Sequence, residues 1–203
     1  IGVAFGGFTS EREISLKSGN FIFNLIRDSN FECYKIDINK SNYFVIDKSG
    51  KKFSLNKKNF QFSKNDVSFS FDYVINLVHG SPGEDGEITK KFEDLGISHS
   101  TCSSSMAELT FNKKKCLDLA KKFGLKTAKS QLIIKGQAVD EKKIRDKIGF
   151  PCFVKPNQSG SSFGISKVYS EKELKPAIKK ALKEDNEILI ESYLSGREVT
   201  VGV

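Results

Sequence analysis

Two short apolar runs, each ending on glycine, constrain this chain most. Ile1-Gly-Val-Ala-Phe5 stops at Gly6-Gly7, and Phe71-Asp-Tyr-Val-Ile-Asn-Leu-Val78 stops at His79-Gly80. Short, largely apolar runs of this kind read as strands buried on both faces, the pattern of a parallel sheet. A helix pattern follows each. Ile14, Leu16, Phe21 and Leu25 come after a Ser10-x-x-Glu13 capping box, and a second helix runs to Leu95. Strand–helix alternation specifies an open, largely parallel α/β sheet. Ligands of such sheets sit outside the carboxyl ends of the strands, where the Gly6-Gly7 and His79 loops both lie.

The remaining segments extend this plan. Residues 31–38 alternate like a strand. Residues 42–70, rich in Asn, Lys, Ser and Phe, read as a surface insertion with a hairpin around Ser49-Gly50. A short strand is expected near Ile97. A second unit is expected after Ser103-Ser104-Ser105, with a helix over 112–123 ended by Gly124. It continues as strand 130–135, helix 140–148, strand 151–155, a Gly/Ser loop, strand 165–169, a helix capped by Ser170 and Glu173, and strands over 187–192 and 197–203. The expected division is 1–104, 105–188 and 189–203.

Charge narrows the function. The net charge is +8, from 33 Lys and Arg against 25 Asp and Glu. Residues 113–147 hold twelve of the positive and four of the negative residues; subtracting these leaves 21 of each sign elsewhere. A nucleic-acid binder would interleave such a stretch with exposed aromatics or show a helix-turn-helix, RRM or KH signature, and none is present. A solvated helix face accounts for most of these lysines. No apolar run approaches the ~18 residues of a membrane span. Cys33, Cys102, Cys116 and Cys152 are scattered without a C-x-x-C pair, and the chain has two His. Neither a structural zinc site nor a disulfide framework is expected, and the thiols read as reduced, in a cytosolic protein.

Four segments offer chemistry. Pro156-Asn-Gln-Ser-Gly-Ser-Ser-Phe-Gly164 lies between two strands, so it is neither a P-loop nor a dinucleotide fingerprint, which need a following helix. Its amides and hydroxyls suit phosphate oxygens, and Lys155 with Phe153 on the same strand face adds a cation and an apolar wall. A flexible hairpin with a surface lysine has the same pattern. Strand amides left free at Glu191–Leu194 would read an adenine edge, with Glu198 on a ribose; an ion-paired strand end is the alternative. His79-Gly80-Ser-Pro-Gly83-Glu84-Asp85-Gly86 is a glycine-rich turn that suits a carboxylate or phosphate, or is a polar turn with a capping Asp. Glu11 either meets an ammonium or complements a helix dipole.

In order and spacing, GGFTSEREISL (6–16), HGSPGEDGEI (79–88), NKKK (112–115), FVKPNQSGSSFGISKV (153–168) and LIESYLSGREVTV (189–201) resemble the D-alanine–D-alanine ligase family of the ATP-grasp superfamily. The resemblance spans essentially the whole chain. It implies an N-terminal α/β domain, a small central ATP-grasp subdomain and a larger C-terminal domain begun at 189–203, with ATP between the last two. It implies ATP-dependent joining of two D-alanines through a D-alanyl phosphate for peptidoglycan precursors. Two Mg²⁺ (or Mn²⁺) ions would clamp the phosphates.

By motif, Glu11 would bind the first D-alanine's ammonium and hydrogen-bond Ser161, and His79 would lie near its carboxylate. Lys113 and Lys155 would hold phosphates under the 157–164 loop, including Gly160 and Ser162. Phe153 would pack on adenine, with Glu191, Ser192 and Leu194 along its edge and Glu198 on ribose. Asn112 stands where the family often has Asp, Ser192 where it often has Lys, and the 42–58 hairpin is like that of its longer members. The Mg²⁺ carboxylates and an oxyanion-stabilising Arg would lie beyond Val203, so no metal ligand is assigned. These residues are expected to bind nucleotide weakly and not to turn over. A cytoplasmic homodimer without nucleic-acid or membrane partners is implied. A D-alanine–D-lactate ligase, a basic nucleic-acid-binding module and a non-catalytic partner surface are the competing readings.

Overall fold

The computed structural model describes residues 1–199, and the chain divides into two compact units, Ile1–Asn112 and the part from Lys113 onward. The first unit runs β1 (Gly2–Gly6), α1 (Arg12–Ile26), β2 (Tyr34–Ile38), β3 (Tyr43–Ile46), β4 (Lys52–Leu55), β5 (Phe62–Lys64), β6 (Val67–Phe69), β7 (Tyr73–Asn76), α2 (Glu87–Leu95), β8 (Ser98–His99) and α3 (Ser104–Phe111). Its sheet has the order β6-β5-β4-β3-β2-β1-β7-β8. Strand β1 is buried along its whole length, because β2 and β7 flank it in parallel and helix α1 covers it. Gly19 of α1 sits directly on Phe5, where a Cβ would meet the ring at 2.3 Å. Gly19→Ala is therefore expected to destabilise the fold by about 1–3 kcal/mol through overpacking. An unchanged urea midpoint would contradict this packing.

Three of the sheet's seven pairings are parallel, around β1 as expected, and four are antiparallel, which makes the sheet mixed rather than largely parallel and corrects the expectation of a surface insertion. Tyr43, Val45 and Leu55 of the expected hairpin are buried, and β3 continues the sheet from β2. A second hairpin, β5–β6, turns on Asn65-Asp66, both at positive φ (52° and 61°), the backbone of a two-residue hairpin turn. These strands gather much of the chain's phenylalanine into one core. Phe60 meets Phe92 with centroids 5.1 Å apart, and Phe62 lies 5.0 Å from Tyr34 and 5.7 Å from Phe71. The Ser10–Glu13 box is out of register, since α1 begins at Arg12 with Glu11 at its cap. Helix α3 is a further correction to the serine turn. Ser103 accepts from Met106 N–H, and Glu93 of α2 holds Ser104 N–H at 2.8 Å and its hydroxyl at 2.6 Å, so α3 groups with the first unit.

The second unit runs α4 (Lys113–Lys122), β9 (Ser130–Ile134), α5 (Glu141–Lys147), β10 (Cys152–Pro156), β11 (Ser166–Val168), α6 (Glu171–Ala181) and β12 (Glu187–Ser192). Its antiparallel sheet has the order β11-β10-β12-β9. The division expected at 188/189 falls inside β12, an inner strand. Ile133, Cys152, Val154, Val168, Ile188 and Ile190 pack with Ile144 of α5 and Leu174 and Ile178 of α6 in one core. Alternation along β10 sends Phe153 and Lys155 to the opposite face. Of the last strand expected, 197–199 are irregular and 200–203 lie outside the described residues.

Burial raises the Cys152 thiol to about 11. Since the thiolate is the reactive form, Cys152 is expected to resist thiol reagents at pH 8, as is buried Cys33, while exposed Cys102 and Cys116 react. Thiol counting in native and urea-unfolded protein should give two and then four. Four in the native state would contradict the burial. Among the described residues, no helix is long and apolar enough to cross a membrane.

Candidate functional site

Two sets of residues carry chemistry, one in each unit. In the first, the loops after β1 and β7 lie side by side because those strands are paired neighbours. Ser15 fixes them: its hydroxyl accepts from Gly6 N–H (2.7 Å) and donates to Leu77 O (2.5 Å). Phe8 N–H donates to Ser81 O at 2.8 Å. Gly7, at φ 105°, passes so near His79 that a Cβ would lie 2.8 Å from its carbonyl. This close approach is what the glycines of both loops permit.

The result is a trio. One ligand atom each of Glu11, His79 and Glu84 lie within 4.8 Å of one another. Glu11 is 2% exposed. Glu84 is exposed, but Gly80 N–H orients its carboxylate at 2.7 Å. A pocket of about 400 Å³, lined by His79, Glu84, Thr101, Cys102 and Phe111 among others, adjoins the trio. Two carboxylates and an imidazole form a site for a cation or an ammonium.

In the second unit the sheet face opposite that core carries a register-paired row. Phe153 stands opposite Glu191 on β12 and Lys167 on β11. Lys155 Nζ is ion-paired to Glu191, with 22% and 11% of the two side chains exposed. Lys167 Nζ lies 3.8 Å over the Tyr193 ring and 5.9 Å from that of Phe153. An aromatic wall with two cations and a carboxylate suits a base and its phosphates.

The Gly/Ser loop leaves β10 beside this row, anchored at its base. Asn157 is 1% exposed; its Oδ1 accepts from Lys114 N–H (2.9 Å) and its Nδ2 donates to Glu187 (2.7 Å). Gln158 N–H donates to Asp185 at 2.7 Å. Lys113 Nζ donates to the carbonyls of Asn157 and Ser159, so this cation is held against the loop. Ser161 and Ser162 at the tip have φ of 46° and 60°, which strains non-glycine residues.

The strand edge expected to be free at Glu191–Leu194 is mostly occupied. Glu191 is laddered between Phe153 and Ser130, Ser192 N–H donates to Lys129 O, and Tyr193 N–H donates to Pro151 O. A four-stranded sheet consumes those amides, which a single-strand reading leaves open. Leu194, 65% exposed, and exposed Glu198 follow without regular structure. Glu84, Asn157, Asp185 and Lys167 escaped the sequence reading. For Lys167 the signal was present, as the residue opposite Phe153 in an alternating strand. Glu11–His79–Glu84 is the one cluster of three or more His, Cys, Asp or Glu of metal-ligand spacing among the described residues. The two Mg²⁺ ions expected with ATP thus find no such set in the described residues of the second unit.

The basic stretch is partly neutralised where it lies: Lys114 and Lys121 pair with Asp118, and Arg145 with Glu171.

Residues 1–102 match the family model described as D-ala D-ala ligase N-terminus, and residues 119–203 the one described as D-ala D-ala ligase C-terminus. A curated relative from Flavobacterium johnsoniae named D-alanine–D-alanine ligase is 44% identical over all of this chain and 63% of its own length. One of the same name from Phocaeicola vulgatus is 35% identical over 100% of this chain and 62% of its own. Among solved structures, the D-alanine–D-alanine ligase of Helicobacter pylori has a TM-score of 0.80 at 28% identity, over 96% of this chain and 63% of that one. The VanG D-Ala:D-Ser ligase of Enterococcus faecalis has the same score and identity, over 96% and 62%. The chain therefore spans less than two thirds of the length of these relatives.

Proposed function

The chain belongs to the D-alanine–D-alanine ligase family, and from that premise we propose that it serves ATP-dependent joining of two D-alanines. In this reading ATP phosphorylates the carboxylate of the first D-alanine, giving D-alanyl phosphate and ADP. The amine of the second attacks the acyl carbon, loses a proton and displaces inorganic phosphate. Because transfer of a phosphoryl group depends mainly on positioning and charge, the chain's own contribution is to hold the reactants.

Glu11 receives the ammonium of the first D-alanine, His79 orients its carboxylate, and Ser161 keeps the substrate-side role that the resemblance gives it. Phe153 is the wall for adenine. Lys155 donates to the nucleotide while Glu191 holds it in place, with Ser192, Leu194 and Glu198 continuing toward the base edge and ribose. Lys113, with the amides of Gly160 and Ser162, meets the phosphates. Mg²⁺ would neutralise the transferring group; no step is assigned to it through the described residues. The observation that carries the reading is the placement of Phe153, Lys155 and Glu191 on one sheet face beside the Asn157-anchored loop.

Titrating ATP into the chain and following its phosphate resonances by ³¹P NMR tests this. Wild type is expected to shift and broaden the β and γ signals, and Lys113→Met to weaken the effect about tenfold or more, the worth of a charge-assisted phosphate contact. Equal effects in both proteins would refute the assignment. D-alanine, D-serine and D-lactate should be compared as ligands of the chain by NMR titration, since the VanG enzyme is equally similar. These 203 residues alone are expected to release no phosphate. A cytoplasmic homodimer belongs to the proposal, with light scattering as its check.

A further inference from the structure

We propose that Glu11, His79 and Glu84 form a binding site for a divalent transition-metal ion of the zinc type, in competition with the ammonium of the first amino-acid substrate. A single ammonium brings one positive charge, yet the trio offers two carboxylates and an imidazole within 4.8 Å of one another. That set matches a divalent ion in charge, and imidazole with carboxylate is the donor class of zinc and its neighbours. Around a tetrahedral ion with bonds of about 2.1 Å the ligand atoms stand about 3.4 Å apart, so atoms within 4.8 Å of one another need to close by at most about 1.4 Å, a side-chain adjustment. Three protein ligands leave the fourth position to water, reached through the pocket that His79 and Glu84 line.

The supporting shell is already built. Gly80 N–H fixes one oxygen of Glu84 at 2.7 Å, and Glu84 N–H returns to Gly80 O at 2.9 Å. Thr9 packs against Gly80, where a Cβ would lie 2.4 Å from its hydroxyl, and that same hydroxyl accepts from Glu11 N–H at 3.3 Å. The Glu11 backbone and the turn that orients Glu84 are thus joined by one short chain of contacts, and the bond to the Glu84 carboxylate is the kind of outer-shell contact that sets metal affinity. Counting Cys and His along the sequence does not reveal this site, because two of its three ligands are carboxylates.

The chain has two histidines, which makes the test specific. His99 is engaged with Thr101 at 2.9 Å and stands outside the trio. Zn²⁺ added to the 203-residue chain should move the ring C–H signals of His79 in a ¹H–¹³C spectrum and leave those of His99 in place. Glu84→Gln, on an exposed residue with little effect on folding, should weaken the Zn²⁺ response of His79 at least about tenfold. Movement of His99 instead, no movement of His79, or an undiminished response in Glu84→Gln would each overturn the site.

The competition rests on the D-alanine reading and is tested separately. Saturating D-alanine should raise the Zn²⁺ concentration needed to shift His79. If Zn²⁺ binds as described but D-alanine has no effect on it, the metal site stands and both the competition and the placing of D-alanine at Glu11 and His79 fall.

Discussion

Lys155→Met is expected to cost ATP affinity about ten- to hundredfold and to destabilise the second unit in the same step. The first effect is the loss of a charged donor to the nucleotide, about 1.5–3 kcal/mol. The second arises because Glu191, its partner, is left almost buried without a counter-charge. Removing one member of a fully buried pair costs about 3–5 kcal/mol; with 22% of the Lys155 side chain exposed, water screens part of this, leaving about 1–3 kcal/mol. The double variant Lys155→Met/Glu191→Gln separates the two. It should recover most of the stability and none of the ATP affinity. Recovery of both would make the pair a structural device only.

Asn157→Ala is expected to lower stability by about 2–4 kcal/mol, since it leaves the Lys114 N–H and the Glu187 carboxylate without their buried partner. Nucleotide affinity should fall with it, because Asn157 anchors the loop and its carbonyl holds Lys113. Asn157→Asp discriminates. It keeps an acceptor for Lys114 N–H but sets a carboxylate against Glu187, now 2.7 Å from Nδ2, so it should be as damaging as alanine. Chemical denaturation of the three proteins measures this. A tolerated aspartate would mean that the contact to Glu187 contributes little.

How much could be read in advance follows from which interactions are local. Strands β1, β2, β7, β10 and β12, helices α1, α2, α4 and α6, and the loops that end them were legible, because period and glycine placement are written in adjacent residues. Phe153 and Lys155 share a face by alternation alone. The β5–β6 hairpin is not legible although Asn65-Asp66 marks its turn; three-residue strands are too short to show a period. Helix α3 was hidden by its serines, whose role emerges only when Ser104 meets Glu93 eleven residues away. The same holds for the sites. Glu191 reads as part of an adenine-edge strand in sequence, but pairing with Lys155 depends on the register of β10 with β12. Glu84 reads as one more acid in a turn until the Gly80 and Thr9 contacts bring it to Glu11 and His79. Long-range register and loop packing are the missing information in every case.

In the proposed reading the nucleotide meets the face of β10 and β12 rather than the lysine-rich helices. An amide-resolved ¹H–¹⁵N titration of the chain with ATP tests it most directly. Shifts at Phe153, Lys155, Gly160–Ser162, Glu191 and Leu194, persisting at moderate salt, are the predicted result. Shifts confined to the exposed lysines Lys142, Lys143 and Lys147 of α5 and fading steeply with salt would contradict it, marking a polyanion surface instead.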